Sequence, residues 1–365
     1  MIREKNPKMK TDTVLLILVL LLAVFGLIML FSISEYNGRV RFGDSAYYFK
    51  KQLFATALGL MAMYIVAEMD YRFFVGLAPA AYLLSMALST AVLLVGQEIN
   101  GSKRWLNFGP LSFQPSEFAK VAVILFLTWQ IEKSRKKTAG FWFMCRTMMT
   151  LLPIVGLVGT NNLSTAIIIL GIGVVLIFVS DPGYARFIGM GAAGVAVIAV
   201  FLAAESYRLE RLAIWRNPEK YEKGFQTIQG LYAIGSGGIF GRGFGSSLQK
   251  LGFVPEAQND MIFSIICEEL GLFGAISVIL IFMFMIYRFM VIAGNAPDLM
   301  GAMIVIGVMA HIAIQVILNI AVVTNTIPNT GVTLPFISYG GTSVMFLMLE
   351  MGMVLSVSNQ IKLEQ

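Results

Sequence analysis

The feature that most constrains this chain is a run of nearly uncharged apolar stretches. They fall near residues 13–34, 53–67, 74–96, 118–131, 141–160, 164–179, 187–204, 261–287, 299–323 and 343–358. About 20 such residues in a helix cross a hydrocarbon core of roughly 30 Å. Composition agrees: 13% of the residues are charged, where a soluble domain carries about 25%, and the mean hydropathy is +0.78. The expected fold class is an all-α polytopic membrane protein with about ten transmembrane helices and a long extracellular loop, 205–260, between helices 7 and 8. Residues 1–365 read as a single transmembrane domain without a soluble domain. No water-soluble fold is consistent with the pattern, and no repeat of fixed period stands out. The first stretch is too long for a signal-peptide core and no small-residue cleavage site follows it, so it reads as a retained helix.

Charge and cysteine content exclude several classes. The net charge of +6 could suggest nucleic acid, but loop Lys and Arg facing anionic lipid explain it better in a membrane protein. Cys145 and Cys267, the only cysteines, lie in apolar stretches, so a disulfide framework or cysteine metal site is not expected. The single His311 cannot build a zinc site with them. An even helix number puts both termini on one side. Arg3, Lys5, Lys8 and Lys10 in the tail 1–12, and Lys133, Arg135, Lys136 and Lys137 after the fourth stretch, mark that side as cytoplasmic. The outside segments are then 35–52, 97–117, 205–260 and 324–342, and the sequence complexity there places the function on the outer face.

Ionisable residues inside a membrane are costly and therefore informative. Asp260 stands at the outer end of the eighth stretch, with Ser264 and Glu268 at i+4 and i+8 on one face and Glu269 adjacent. Helical rise puts Glu268 roughly 12 Å deeper. By spacing alone Asp260 is a helix cap or a general base, and the cap is favoured. The Glu268–Glu269 pair is expected to bond a basic group on another helix. Glu117 and Lys120 can pair at i, i+3 as an interface ion pair or as part of a cavity. His311, Gln315 and Asn319 form a polar stripe at every fourth residue of the ninth stretch, expected to join helices rather than relay protons. In the long loop, Gly241, Gly243 and Gly245 with Arg242 and Lys250 could cradle phosphate, or be a flexible loop.

At four segments the sequence resembles a known family, the SEDS proteins (shape, elongation, division and sporulation; FtsW, RodA and SpoVE). They are GSKRWLNFGPLSFQPSEFAK at 101–120, NLSTA at 162–166, the run from GFQTIQGLYAIGSGGIFG to PEAQNDMIFSIICEELG at 224–271, and NTGVTLPFISYGGTS at 329–343. The TLPFISYGG form looks closer to FtsW and SpoVE than to RodA. The resemblance implies a peptidoglycan glycosyltransferase of the bacterial cytoplasmic membrane, in division, cell-shape or spore-wall synthesis. Such an enzyme polymerises lipid II, a disaccharide-pentapeptide on undecaprenyl pyrophosphate, beside a class B penicillin-binding protein. It also implies that Asp260 is the essential acid, which overturns the cap reading. Glu117, Lys120, Lys250 and Arg242 are then expected to shape the electrostatics of a pyrophosphate cavity. Trp105 would stack on a sugar or lipid, or pack at the interface, and Ser338, Tyr339, Gly340 and Gly341 would form the cavity floor. No cofactor is evident, although a divalent cation could bridge the pyrophosphate to Asp260. Two positions depart from the family pattern: Thr160-Asn161, where many members carry an acid and a proline, and Thr330, where some division-type members carry a lysine. If that lysine meets pyrophosphate, the charge must come from elsewhere in this chain. The competing readings are a lipid II flippase, which needs a polar path at mid-depth, and a noncatalytic scaffold.

Overall fold

The computed structural model describes residues 11–99, 102–108, 111–134, 140–180, 183, 188–189, 191–192, 194–196 and 206–361. Their helices are α1 (Thr13–Phe42), α2 (Tyr47–Glu68), α3 (Tyr71–Gly76), α4 (Ala78–Val95), α5 (Pro115–Lys133), α6 (Phe141–Asn161), α7 (Leu163–Ser180), α8 (Ser206–Arg216), α9 (Phe225–Gly237), α10 (Ile262–Gly294), α11 (Leu299–Val323) and α12 (Gly341–Asn359). Seven of these, α1, α4, α6, α7, α10, α11 and α12, are long and apolar enough to cross a membrane. The chain is a polytopic helical membrane protein, as its apolar pattern requires. Helices α2 and α5 have 22 and 19 residues, long enough to span about 30 Å at 1.5 Å per residue, but they carry more charge. The seventh predicted stretch, 187–204, lies largely outside the described residues, as do most of the tail and the basic run at 135–137.

The helix starts follow simple chemistry. Asp12 caps α1 by accepting from the Leu15 amide at 2.9 Å and pairs with Arg288 of α10. Asp298 caps α11 through the Gly301 amide at 2.8 Å, and also takes the Arg72 guanidinium at 2.7 Å and the Tyr71 hydroxyl at 2.9 Å. Both carboxylates thus satisfy orphan amides while locking α1 to α10 and α3 to α11.

The segment expected only as an outer loop forms a small antiparallel sheet, β1 (Gln97–Ile99), β2 (Ser102–Phe108) and β3 (Leu111–Phe113), in the order β1-β2-β3. The residues between β1 and β2 are Asn100 and Gly101, a pair strongly preferred in two-residue hairpin loops.

Helix α10 is broken at Gly271 (φ 66, ψ −163). A broken helix loses backbone bonds, and here the segment after α9 replaces them. The amides of Arg242 and Gly243 donate to the Glu268 and Glu269 carbonyls at 2.9 and 3.0 Å, and the amides of Leu272 and Phe273 donate to Gly238 and Ile239 at 2.9 and 3.1 Å. Only glycine allows the approach: a Cβ on Gly241 would lie 2.2 Å from the Glu269 carbonyl oxygen, and one on Gly271 would lie 2.3 Å from the Gly241 nitrogen. Of the two alternatives for the glycine cluster, a phosphate cradle or a flexible loop, the cradle would need open amides, but those of Gly241, Arg242 and Gly243 are already bonded to the carbonyls of Gly237, Glu268 and Glu269.

Candidate active site

Asp260 precedes α10 without capping it. The N-cap position is Met261, with no side-chain cap bond. The Asp260 carboxylate instead accepts from the Gln226 amide of α9 at 3.4 Å. Its main-chain carbonyl accepts from Asn319 Nδ2 of α11 at 2.9 Å, and that same amide donates to the Val332 carbonyl at 2.7 Å. Gly331 covers it: a Cβ there would lie 3.8 Å from Asp260 Oδ2. Burial, with the Glu256 carboxylate adding to it, raises the Asp260 pKa from 3.8 to about 7, while Arg211 and Gln226 pull it down. Desolvation and a like charge both disfavour the anion.

The loop over Asp260 is strapped from several sides. Asn37 of α1 donates to Gln258 Oε1 at 2.9 Å, and the Tyr339 amide donates to the Gln258 carbonyl at 2.9 Å. Gln52 of α2 donates to the Ser338 carbonyl at 3.2 Å and accepts from the Gly340 amide at 3.1 Å. The Ser338 hydroxyl accepts from the Leu334 amide at 2.8 Å, and the Tyr339 ring meets Tyr48 edge-on at 5.0 Å. A Cβ on Gly341 would meet that of Ala55 at 3.4 Å. These four residues thus tie the last outer loop to α2 and to the segment carrying Asp260.

Beneath lies a buried polar chain. Lys120 pairs with Glu117 at 3.0 Å and donates to Gln315 Oε1 at 3.2 Å. Gln315 Nε2 donates to the Thr333 carbonyl at 3.0 Å. His311 bridges Gln315 at 2.8 Å and Glu350 of α12 at 2.8 Å. The stripe on α11 thus joins α5, α12 and the outer loop, as expected of interhelical polar contacts.

The remaining charged residues form a separate clamp. Lys250 Nζ donates to Glu269 Oε1 at 3.0 Å, to the Ser32 hydroxyl of α1 at 2.7 Å and to the Gly245 carbonyl at 2.8 Å, which uses all three of its donors. Arg242 lies 3.5 Å from Glu268 Oε1. Glu268 also takes the Ser247 hydroxyl and the Leu248 amide at 3.2 Å. The expectation of a basic partner for Glu268–Glu269 holds, but the partners come from the loop between α9 and α10 and not from another helix. Lys250 and Arg242, expected as cavity cations, here meet the Glu268–Glu269 pair, Lys250 buried and Arg242 partly exposed. Trp105 is half-buried on β2, opposite Gln97. Among the described residues, no group of three or more His, Cys, Asp or Glu could hold a metal ion.

Comparison with known proteins decides the family. The family model for cell cycle proteins of the FtsW/RodA/SpoVE group matches residues 12–363. The chain belongs to the FtsW/RodA/SpoVE family. Stage V sporulation protein E of Bacillus subtilis is 37% identical over 97% of this chain and 98% of its own length. The probable peptidoglycan glycosyltransferase FtsW of Trichlorobacter lovleyi is 33% identical over 96% and 94%. Among solved structures, one titled for the coordination of polymerization and crosslinking by a peptidoglycan synthase complex superposes with a TM-score of 0.80 at 28% identity, covering 95% of this chain and 97% of that one. Thermus thermophilus RodA superposes at 0.72 with 26% identity, over 97% and 98%. The peptidoglycan glycosyltransferase class expected from the sequence is the class that the FtsW relatives' names give.

Within this SEDS-type frame several residues escaped the sequence reading. Glu350, the partner of His311, is a lone acid in the last apolar stretch, and the rule for intramembrane charges would have found it. Glu256 stands four residues before Asp260 in the PEAQND segment, held at φ 55, a conformation uncommon outside glycine. Arg211 of α8 donates to the Asn329 carbonyl at 3.3 Å, and Trp215 donates to the Asn325 carbonyl at 2.9 Å. Ser164 of the NLSTA segment donates to the Thr330 carbonyl at 2.6 Å. Such pairings between distant loops leave no local pattern in a sequence.

Proposed function

We propose that this protein polymerises lipid II into glycan strands at the outer face of the cytoplasmic membrane, with Asp260 as general base. In this reading residues 1–365 form one transmembrane domain of about ten helices with both termini cytoplasmic. The 4-hydroxyl of an acceptor sugar attacks the anomeric carbon of a donor, inverting it, and the undecaprenyl pyrophosphate leaves. The observation that carries the reading is the Asp260 carboxylate, buried beside Glu256, with a pKa raised to about 7. A base whose pKa lies near the working pH combines availability with proton affinity.

A cation near the leaving pyrophosphate would stabilise its developing charge. Lys250 is engaged elsewhere, and Thr330 replaces the lysine of some relatives. Arg211 is exposed, reaches the loop at Asn329 and acts electrostatically on Asp260, so it is the better candidate to supply that charge. Lys120 and Glu117 act from below, through Gln315 and the Thr333 carbonyl. The likeness to a peptidoglycan synthase complex supports a class B penicillin-binding protein as partner. The buried chain from Glu117 to Glu350 is the one observation that would favour a flippase, but its groups bond one another, which argues for a sealed helix junction.

The test is polymerisation of purified lipid II by wild type and Asp260→Asn, each with its penicillin-binding protein. Polymer from wild type alone supports both enzyme and base. Polymer from both removes Asp260 from the role, and polymer from neither, in a verified complex, points to the flippase or the scaffold.

A further inference from the structure

The segment between α9 and α10 carries six large apolar side chains turned outward: Ile239, Phe240, Phe244, Leu248, Leu251 and Phe253. Each is at least 44% exposed, and Phe240 is 83% exposed. On a segment placed outside the membrane this is an unusual apolar face. We propose that residues 238–253 are an interfacial anchor whose apolar face is seated in the outer leaflet of the bilayer.

Three observations carry this. The first is continuity. Exposed apolar residues on α10 begin at Leu272 and Phe273 and recur through Met290, about 27 Å of helix at 1.5 Å per residue, which is close to a hydrocarbon thickness. Leu272 and Phe273 are the residues whose amides bond Gly238 and Ile239. The loop face therefore begins where the lipid-facing stripe of α10 ends.

The second is charge. Arg242 and Lys250 are the only ionisable side chains between residues 238 and 253. Lys250 is buried against Glu269, and the partly exposed Arg242 is paired with Glu268, so the face carries no unpaired charge. The third is the backbone. Non-helical chain at membrane depth is tolerated only when its polar groups are satisfied within the protein. The amides of residues 241–243 and 246–251 all donate within the protein, to main-chain carbonyls, to the Glu268 and Glu269 carboxylates and to the Ser247 hydroxyl. A water-facing loop has no need of this.

The anchor is independent of the reaction, and its test reads the membrane directly. Single cysteines are placed as Phe240→Cys, Phe244→Cys and Phe253→Cys in full-length protein carrying Cys145→Ser and Cys267→Ala, with Glu222→Cys as the exposed control. Each is labelled with an environment-sensitive fluorophore and reconstituted without partner into phosphatidylethanolamine–phosphatidylglycerol vesicles. The expected result is blue-shifted emission at the three loop sites, quenched by nitroxide lipids and insensitive to aqueous iodide, with the reverse at residue 222. Iodide quenching of the loop sites equal to that of the control would overturn the proposal. So would a blue shift that arises only when a penicillin-binding protein is added, since the face would then be a protein interface. Phe244→Ser tests it separately: less anchorage there should leave the melting temperature in detergent unchanged while weakening nitroxide quenching of a label at residue 240.

Discussion

Replacing Lys250 by methionine separates a structural clamp from a substrate-binding cation. The ammonium lies 3.0 Å from Glu269 Oε1, and the Glu269 side chain has no exposed surface. Without Lys250, Glu269 keeps only two long contacts, the Ser32 hydroxyl at 3.5 Å and the Ser247 amide at 3.4 Å, while its Oε2 already lacks a partner. Removing one member of a buried pair leaves a charge in a poor medium for it and costs about 3–5 kcal/mol. At about 1.4 kcal/mol per decade, that is roughly two to three and a half decades in the folding equilibrium. Arg242→Met should cost far less, about 0.2–1 kcal/mol, because Arg242 is 37% exposed and stands 3.5 Å from its carboxylate. Glu268 also keeps the Ser247 hydroxyl and two amides. Thermal melting in lipid nanodiscs at neutral pH should therefore rank Lys250→Met well below Arg242→Met. Adding Glu269→Gln to Lys250→Met should recover most of the loss. A Lys250→Met protein that melts like wild type yet fails to polymerise lipid II would refute the reasoning and return Lys250 to the substrate.

Polymerisation should rise with pH through about 7, since Asp260 is protonated below that value, and Glu256→Gln should move the midpoint to lower pH in a pH–rate profile. The stability linkage has the opposite sense: the folded state holds the Asp260 proton more tightly than the unfolded chain, so this group's contribution falls as pH rises from about 4 to 7. Asp260→Asn should accordingly melt higher than wild type at pH 8 and with a smaller difference at pH 5. Gly241→Val should lower the melting temperature and loosen α10, since its Cβ would meet the Glu269 carbonyl oxygen at 2.2 Å with φ at 77. Hydrogen exchange at Arg242, Gly243, Leu272 and Phe273 should report that loss. Arg211→Gln should lower the polymerisation rate with little effect on melting, measured on the purified complex.

The helical frame was legible because lipid imposes a blunt rule. Any crossing segment must be apolar for about 20 residues and satisfy its own backbone, and both demands leave a continuous signature. The stripe His311, Gln315, Asn319 was legible for a related reason, since polar residues at every fourth position share one face. What the stripe touches was not legible: Glu350, Thr333 and the Asp260 carbonyl come from other segments. The glycine cluster shows the converse failure. Glycines beside cations suit phosphate and also suit a backbone pressed against a broken helix, and only the positions of the Glu268 and Glu269 carbonyls separate the two. The small sheet is hard to read from sequence although Asn100-Gly101 suits a hairpin turn, because two of its strands have three residues each, too few for an alternating pattern to stand out.

The fork made by Asn319 has a mechanical consequence. One side-chain amide holds both the main chain at Asp260 and the main chain of the last outer loop at Val332. A tilt of the outer end of α11 would therefore pull on both segments at once, and through them on Gln52 of α2 and Gln226 of α9.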